Sequence, residues 1–136
     1  MTIRRFARKT PEHDLQKAVG QYLNATLPVE SWWTSIDHAG GGILAGALRK
    51  ARHVKAGIPD ILIVWYGRAY FIELKAGPGR LSSDQWTAMG AIGKAGGRTG
   101  VAWRLEDVEE LLRHWNIPLR ARLSEPASVK AARETA

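Results

Sequence analysis

Three residues near the middle of the chain have the types and spacing of a site that could cleave phosphodiesters. Asp60 opens one apolar run, and Glu73 and Lys75 stand two positions apart in the next. Two neighbouring carboxylates raise each other's pKa and are unfavourable to bury, and a divalent cation relieves both problems. Mg²⁺ takes carboxylate oxygens and water, and it can acidify that water and hold a phosphate oxygen. Lys75 would add positive charge where negative charge develops.

The elements that must position these residues form a predicted hairpin. Residues 60–66 and 69–75 are rich in Ile, Val, Tyr and Phe, and Gly67-Arg68 lies between them as a two-residue turn. With this turn, the numbers of paired positions sum to 135, so Asp60 faces Lys75. The three candidate side chains then project from one face of the sheet, because side chains two positions apart share a face.

A structural explanation of the same residues stays open. Asp60 could simply begin a strand after Pro59, and Glu73 and Lys75 could form an ion pair on a sheet face. A Glu-x-Lys sequence alone carries almost no information. The Pro-Asp pair, the twelve intervening residues and the Glu-x-Lys sequence are less common together, and their combination favours a metal site.

Glu12 is the fourth candidate residue. It lies in a predicted amphipathic helix over residues 11–25, and at the α-helical period it falls within about sixty degrees of Leu15, Val19 and Leu23. An acid on the apolar stripe needs a partner, and the same metal is a candidate. The alternative is an ordinary acidic residue in the first turn of a helix.

Two further residues are candidates for supporting roles. His38 follows a predicted strand and precedes a glycine run, so it could contact a phosphate or a metal-bound water, or it could simply pack. Gln85 stands three positions after Ser82, which is the spacing of a helix capping box. Gln85 could also reach the Asp60 cluster, because its helix follows the Glu73 strand closely.

The charge of the chain favours a polyanionic partner, and nucleic acid, here DNA, is the first candidate. The net charge is +7, and residues 1–55 carry nine Lys and Arg against four Asp and Glu. A basic cluster directly precedes the Asp60 strand and is expected to contact phosphates without reading sequence. Its members are Arg49, Lys50, Arg52 and Lys55. The alternative for this cluster is a solvated helix face.

The chain as a whole fits one domain. We expect a basic flexible arm over residues 1–9, a nuclease-like domain over 10–118 and a basic, disordered tail over 119–136. The element order is helix, strand, short helix, hairpin, helix, strand, helix, which predicts an α/β fold with a mixed sheet of about four strands flanked by helices. Thr10 is the predicted cap of the first helix.

Composition excludes several classes of function. The chain has no cysteine, which excludes disulfides, a thiolate zinc site and a cysteine nucleophile. No apolar run approaches the roughly 20 residues that span a bilayer, so no membrane partner is expected. No signal sequence is recognisable, and we expect a cytoplasmic protein.

The motifs together resemble the PD-(D/E)xK nuclease superfamily, and within it the VRR-NUC family. The resemblance rests on four segments: Pro11–Gln16 with its early glutamate, Gly57-Ile58-Pro59-Asp60, Phe71–Lys75, and Leu81-Ser82-Ser83-Asp84-Gln85. It covers about residues 10–116. The loop from Gly40 to Ala47 departs from the pattern, since it is unusually rich in glycine and alanine. The resemblance implies an αβββαβ core of the restriction-endonuclease type, an Mg²⁺ or Mn²⁺ site, and hydrolysis of DNA phosphodiesters.

The resemblance also implies roles for individual residues. Glu12, Asp60 and Glu73 would be metal ligands together with the backbone carbonyl of Leu74, Lys75 would be the catalytic lysine, and Gln85 would support the site. Stand-alone members look like homodimers that cut branched DNA such as four-way (Holliday) junctions. Two alternatives remain: a restriction-type or single-strand nuclease of the same superfamily, and a basic DNA-binding module without catalysis.

Overall fold

The structure is a computed structural model that describes residues 11–38 and 41–123. The predicted arm, the Thr10 cap, Gly40 and the tail beyond residue 123 lie outside the described residues. The described residues form eight elements in the predicted order. They are α1 (Pro11–Thr26), β1 (Trp32–Ser35), α2 (Ile43–Ala51), β2 (Ile61–Trp65), β3 (Arg68–Leu74), α3 (Ser83–Lys94), β4 (Arg98–Ala102) and α4 (Leu105–His114).

The four strands form one mixed sheet in the order β1-β2-β3-β4. The pairs β1/β2 and β2/β3 are antiparallel, and β3/β4 is parallel. A parallel neighbour needs a crossover connection, which α3 supplies between β3 and β4. This confirms the predicted fold class of a mixed four-stranded sheet flanked by helices.

The β2–β3 hairpin turns one residue earlier than predicted. Its central residues are Tyr66 and Gly67, with φ of 48° and 71°. Positive φ at both positions is the type I′ geometry that joins twisted strands most readily. Ile61 pairs with Ile72, so the paired numbers sum to 133 and the predicted register of 135 is wrong. A shift of two positions leaves every side chain on its predicted face, because the pleat repeats every two residues.

One face of the sheet packs against α1 and α4 and forms the core. Fully buried side chains come from both helices and from three strands, and burial of such side chains is the main stabilising contribution to the fold. They include Val19, Leu23, Ile61, Ile63, Ile72, Ala102, Val108 and Leu112. Tyr22 and Tyr70 lie at the edge of this cluster and are nearly buried.

The opposite face of the sheet carries Glu73 and is covered in part. The N-terminal end of α3 meets this face, since Gln85 contacts Glu73. Trp32 and Val64 pair across β1 and β2 on the same face and remain 59% and 37% exposed. Among the described residues, this face is therefore covered near the start of α3 and open in its outer part.

The packed chain continues beyond the predicted boundary at residue 118. Leu119 and Leu123 pack against the core. The backbone N–H of Arg120 donates to Thr26 O at 2.8 Å, and its guanidinium donates to the carbonyls of Asn24 and Leu27 at the end of α1. In the described part of the chain, no helix has the length and hydropathy needed to cross a membrane.

Candidate active site

Asp60 and Glu73 stand next to each other at the end of the hairpin. Paired residues of β2 and β3 have numbers that sum to 133, and the last pair is Ile61 with Ile72. Asp60 and Glu73 follow one position beyond this pair, so they lie directly opposite each other. Asp60 Oδ2 accepts a hydrogen bond from the backbone N–H of Leu74 at 2.8 Å. The carboxylate thus replaces a strand carbonyl at the end of the ladder, and this contact fixes the Asp60 side chain against β3.

Glu73 is an acid held inside the protein. It is 3% exposed and lies between Ile72 and Leu74, which point into the core on the other face. Its Oε1 accepts from Gln85 Nε2 at 2.8 Å and lies 3.7 Å from Lys75 Nζ. Its Oε2 is buried and has no hydrogen-bond partner among the described residues. A buried polar atom without a partner is rare in native proteins and calls for an explanation.

The pKa of Glu73 reflects this setting. Burial, followed by the neighbouring Asp60 carboxylate, raises the pKa of Glu73 from the usual 4.5 to about 8, although Lys75 acts in the opposite direction. In the absence of a cation the side chain is therefore largely protonated at neutral pH. The Lys75 contact is then weaker than a full ion pair. Its lowering effect on the pKa of Glu73 is smaller than the raising effect of burial.

Gln85 performs both of the roles that the sequence allowed. Gln85 Oε1 accepts from the Ser82 backbone N–H at 2.9 Å. The backbone N–H of Gln85 donates to Ser82 Oγ at 3.2 Å, which completes the capping box. Its Nε2 is left to reach Glu73. The start of α3 therefore fixes the orientation of the buried carboxylate.

Gly57 lets the chain before Asp60 approach the start of α3. It has φ of +77°, and a Cβ built on it would lie 2.3 Å from the Asp84 carbonyl oxygen and 2.6 Å from Gln85 N. Any side chain at this position would collide with backbone. The close contact holds the Gly57–Asp60 segment against the helix that carries Gln85.

His38 contacts Asp60 and so lies at the site. The backbone N–H of Ile36 donates to the Asp60 carbonyl at 2.7 Å, which places the end of β1 beside the carboxylate. His38 Nε2 lies 3.2 Å from Asp60 Oδ1, and its side chain is 47% exposed. The half-exposed ring faces a cavity of about 300 Å³ that also borders Glu73 and Lys75.

Glu12 reaches the same cavity from α1. It is exposed, and it borders both this cavity and a smaller one of about 190 Å³ shared with Asp60 and Leu74. Its charge contributes to the raised pKa of Glu73. Within residues 11–38 and 41–123, no three acidic or histidine side chains are drawn together closely enough to form a complete metal-ligand set. Asp60 and Glu73 are thus the close pair, with Glu12 facing them across the cavity.

Most of the predicted basic cluster borders a groove next to the site. Arg49, Lys50 and Lys55 line a groove of about 790 Å³, which we call the basic groove. It shares His38 and the Gly57-Ile58 segment with the cavity of about 300 Å³ beside Glu73 and Lys75, which we call the catalytic cavity. Arg52 is the C-cap of α2 and lies outside the groove lining.

Sequence reasoning missed two contributors to the site. Asp84 borders the catalytic cavity, although the sequence suggested only a position in the capping motif. The sequence indicated Gly57 only as the first residue of the Gly57-Ile58-Pro59-Asp60 segment, whereas in the fold its absent side chain is what admits α3. Its place two residues before Pro59 was the available signal.

The comparisons with known proteins agree with this geometry. The family model described as "VRR-NUC domain" matches residues 7–103. A solved structure described as "VRR_NUC domain" is similar with a TM-score of 0.54 and 19% sequence identity, and the match covers 78% of this chain and 98% of that chain. No curated protein matches the chain.

The matched region contains all of the site residues described above. It runs from before α1 to the residue after β4, and it includes Glu12, Asp60, Glu73 and Lys75. The solved structure shows that the fold is shared. The chain therefore belongs to the VRR-NUC family of the PD-(D/E)xK nuclease superfamily, a family of nucleases that act on DNA.

Proposed function

We propose that this protein is an endonuclease that depends on Mg²⁺ or Mn²⁺ and hydrolyses phosphodiesters of branched DNA. The observation that carries the proposal is the close pair of carboxyl groups formed by Asp60 and the buried Glu73, whose Oε2 receives no hydrogen bond from a donor in the described chain. A cation bound between the two carboxylates would satisfy this atom and replace the proton that burial otherwise imposes. The residues present therefore fit a divalent metal.

Asp60 and Glu73 would hold the ion, with Glu12 and the Leu74 carbonyl as further oxygen ligands. Such oxygens match the preference of Mg²⁺ and Mn²⁺. When bound, the ion would lower the pKa of a water molecule and hold a phosphate oxygen. Leu74 N–H and His38 orient the Asp60 carboxylate, and Gln85 orients that of Glu73. Each carboxylate is therefore held in place before any ligand arrives.

Lys75 supplies the positive charge of the site. Its side chain is 12% exposed, and its Nζ lies 3.7 Å from Glu73 Oε1. With Glu73 ionised on a cation, the ammonium lies where it can stabilise charge on the phosphate as the bond breaks. The half-exposed His38 lies on the open side of Asp60 and can contact the phosphate or the water that attacks it.

The proposed substrate is branched duplex DNA, and the proposed assembly is a homodimer. The family resemblance and the net charge of +7 support a DNA substrate. The branched shape of that DNA and the homodimer are supported by the resemblance alone. The basic groove beside the catalytic cavity is suited to phosphate contacts by Arg49, Lys50 and Lys55. Arg52 does not line the groove, although it lies between Lys50 and Lys55 in the sequence. The compartment we expect is the cytoplasm of a bacterium or an infected host.

Cleavage of a labelled synthetic four-way junction tests this function. We expect cutting with Mg²⁺, none with EDTA, and a loss of at least roughly 100-fold in Lys75→Ala, the range seen when a charge-stabilising group is removed. Lys94→Ala is the matched control, because Lys94 is an exposed lysine nine residues beyond Gln85 on α3. Equal cutting under all of these conditions would contradict the proposal.

Two further substrates, linear duplex and single-stranded DNA, distinguish the alternatives. Faster cutting of linear duplex at one sequence, or of single strands, would favour a restriction-type or single-strand nuclease. Tight binding of DNA with no cutting, and no effect of Mg²⁺ on thermal stability, would favour a binding module. Size-exclusion chromatography with light scattering measures whether the protein is the proposed dimer.

A further inference from the structure

A second groove opens on the other side of the 36–38 segment. It has a volume of about 720 Å³ and lies between α1 and β1, the edge strand of the sheet, so we call it the α1–β1 groove. Its α1 wall is formed mainly by polar side chains, among them Gln16, Lys17, Gln21 and Asn24.

The α1 wall is one face of the helix. Positions 17, 21 and 24 lie three or four residues apart and so share a face, which is distinct from the face that buries Val19 and Leu23. The floor includes Trp33, whose Nε1 donates to Asn24 Oδ1 at 3.0 Å. This hydrogen bond fixes the indole beside the helix, so the groove has a built aromatic floor.

Both grooves reach the catalytic cavity at the same place. Ile36, Asp37 and His38 line the basic groove and the α1–β1 groove alike. His38 also borders the catalytic cavity and lies 3.2 Å from Asp60. A strand whose phosphate sits at Asp60 can therefore continue into one groove on one side and into the other groove on the other side.

The two grooves differ in chemistry. Three cationic side chains line the basic groove, which suits the phosphate backbone. Lys17 is the one lysine or arginine among the described residues that line the α1–β1 groove, where three carboxamides predominate. The carboxamides of Gln16 and Gln21 carry paired donors and acceptors that match the edges of bases. The carboxamide of Asn24 already accepts from Trp33, and the partly buried indole adds an aromatic contact on the floor.

We propose that the α1–β1 groove binds the nucleotides on one side of the scissile phosphate through their bases, while the basic groove binds the other side through its phosphates. The inference rests on the proposed nuclease function. Gln21 is the sharpest residue to test, because it is exposed on the groove wall and alanine is well tolerated in a helix.

Binding of single-stranded oligonucleotides in EDTA tests the proposal without any cleavage. The probes are fluorescein-labelled dT12 and a 12-nucleotide abasic strand, which have the same backbone charge, and the readout is anisotropy. We expect wild-type protein to bind dT12 roughly fivefold or more tightly than the abasic strand, since the abasic strand lacks the base edges and rings that the groove would contact. Gln21→Ala should bring this ratio close to one.

Two variants serve as controls for the charge contribution. Lys55→Ala, in the basic groove, should weaken binding of both strands by a similar factor and leave their ratio unchanged, because it removes a phosphate contact. Lys94→Ala should change neither affinity. Equal binding of the two strands by wild type, or an unchanged ratio in Gln21→Ala, would overturn the proposal.

These experiments distinguish a failure of the proposed nuclease function from a failure of the groove assignment. A protein that prefers dT12 but never cuts a junction supports the groove and contradicts the nuclease. A protein that cuts in Mg²⁺ but shows no base preference keeps the nuclease function and loses the groove assignment.

Discussion

Glu73 shows how one residue links folding to chemistry. Its neighbours in β3 point into the core, and its own side chain is just as deeply buried on the opposite face. The sequence alone indicates this arrangement, because Glu73 alternates with Ile72 and Leu74 and shares a face with Asp60 and Lys75. The exact partner could not be predicted, since it depends on which residues of the distant turn adopt positive φ.

Neutralising Glu73 should stabilise the metal-free protein at pH 8. A folded-state pKa of about 8 lies above the usual 4.5, so the stability that this group contributes is complete below pH 4.5 and is lost as the pH rises toward 8. Glu73→Gln removes that loss, and its amide can donate to the Asp60 carboxylate. We expect the Tm in EDTA to rise by roughly 3–4 °C, the shift that about 1 kcal/mol produces in a domain of this size.

Differential scanning fluorimetry at pH 8, with and without Mg²⁺, measures this effect. Mg²⁺ should raise the Tm of wild type by mass action and leave that of Glu73→Gln nearly unchanged. Glu110→Gln is the control, since it neutralises an exposed acid on α4. A lower Tm for Glu73→Gln than for wild type in EDTA would contradict the burial argument.

At the scale of elements, the start of α3 determines the geometry of the site. The capping box was predictable from the Ser82–Gln85 spacing, and the same glutamine extends from the helix end to Glu73. What local sequence could not reveal is how closely α3 approaches the chain before β2. That approach depends on Gly57, which is 27 residues away from Asp84 in sequence and in contact with it in the fold.

Gly57→Ala should damage the site and lower stability together. The added Cβ would lie 2.3 Å from the Asp84 carbonyl oxygen at a φ of +77°, so the first turn of α3 must move and carry Gln85 away from Glu73. We expect the Tm to fall by roughly 5–15 °C, as for a strained backbone substitution, and junction cleavage to fall with it.

Gly90→Ala is the matched control for that prediction. It lies within α3, and a Cβ there would have no atom within 4 Å. Because alanine favours the helix over glycine, this variant should be more stable by about 0.5–1 kcal/mol and should cut normally. If both variants behave alike in thermal melts and cleavage, the close contact at Gly57 has no structural importance.

At the scale of the whole molecule, Glu109 joins three parts of the chain. Its carboxylate accepts from Tyr22 Oη on α1 at 3.1 Å, from Arg113 on α4 at 2.7 Å and from the backbone N–H of Leu123 at 2.9 Å. The segment after residue 118 has no apolar periodicity, so local pattern predicted a disordered tail there. Its order over residues 119–123 depends on partners about 14 to 96 residues away, which sequence pattern does not reveal.

The contribution of Glu109 to stability should depend on pH. Burial acts to raise its pKa, but hydrogen bonds from Arg113, Leu123 N–H and Tyr22 outweigh burial and hold the pKa below the usual 4.5. Its stabilising effect is therefore present above pH 4.5 and is lost as the pH falls through the lower folded-state value. Glu109→Gln should destabilise the protein at pH 6 and much less at pH 3.

Urea unfolding of wild type and Glu109→Gln across pH 3–7 tests this dependence. The difference in free energy of unfolding between the two proteins is the quantity to follow, since it cancels the opposite trend that Glu73 contributes. Glu110→Gln, one position along α4 and exposed, should show no such pH dependence. A constant difference over the whole range would show that the carboxylate charge of Glu109 is unimportant.

The Tyr66-Gly67 turn has a consequence for how this family member can change during evolution. It lies at the opposite end of the hairpin from Asp60 and Glu73, yet it determines which side chains of β3 face the core. A one-residue register shift would put Glu73 among the core side chains and Ile72 on the site face, whereas a two-residue shift would exchange neither. A two-residue shift would still place Lys75 or Phe71 opposite Asp60 instead of Glu73. The pairing of the two carboxyl groups therefore constrains the length of this distant turn against odd and even changes in register alike.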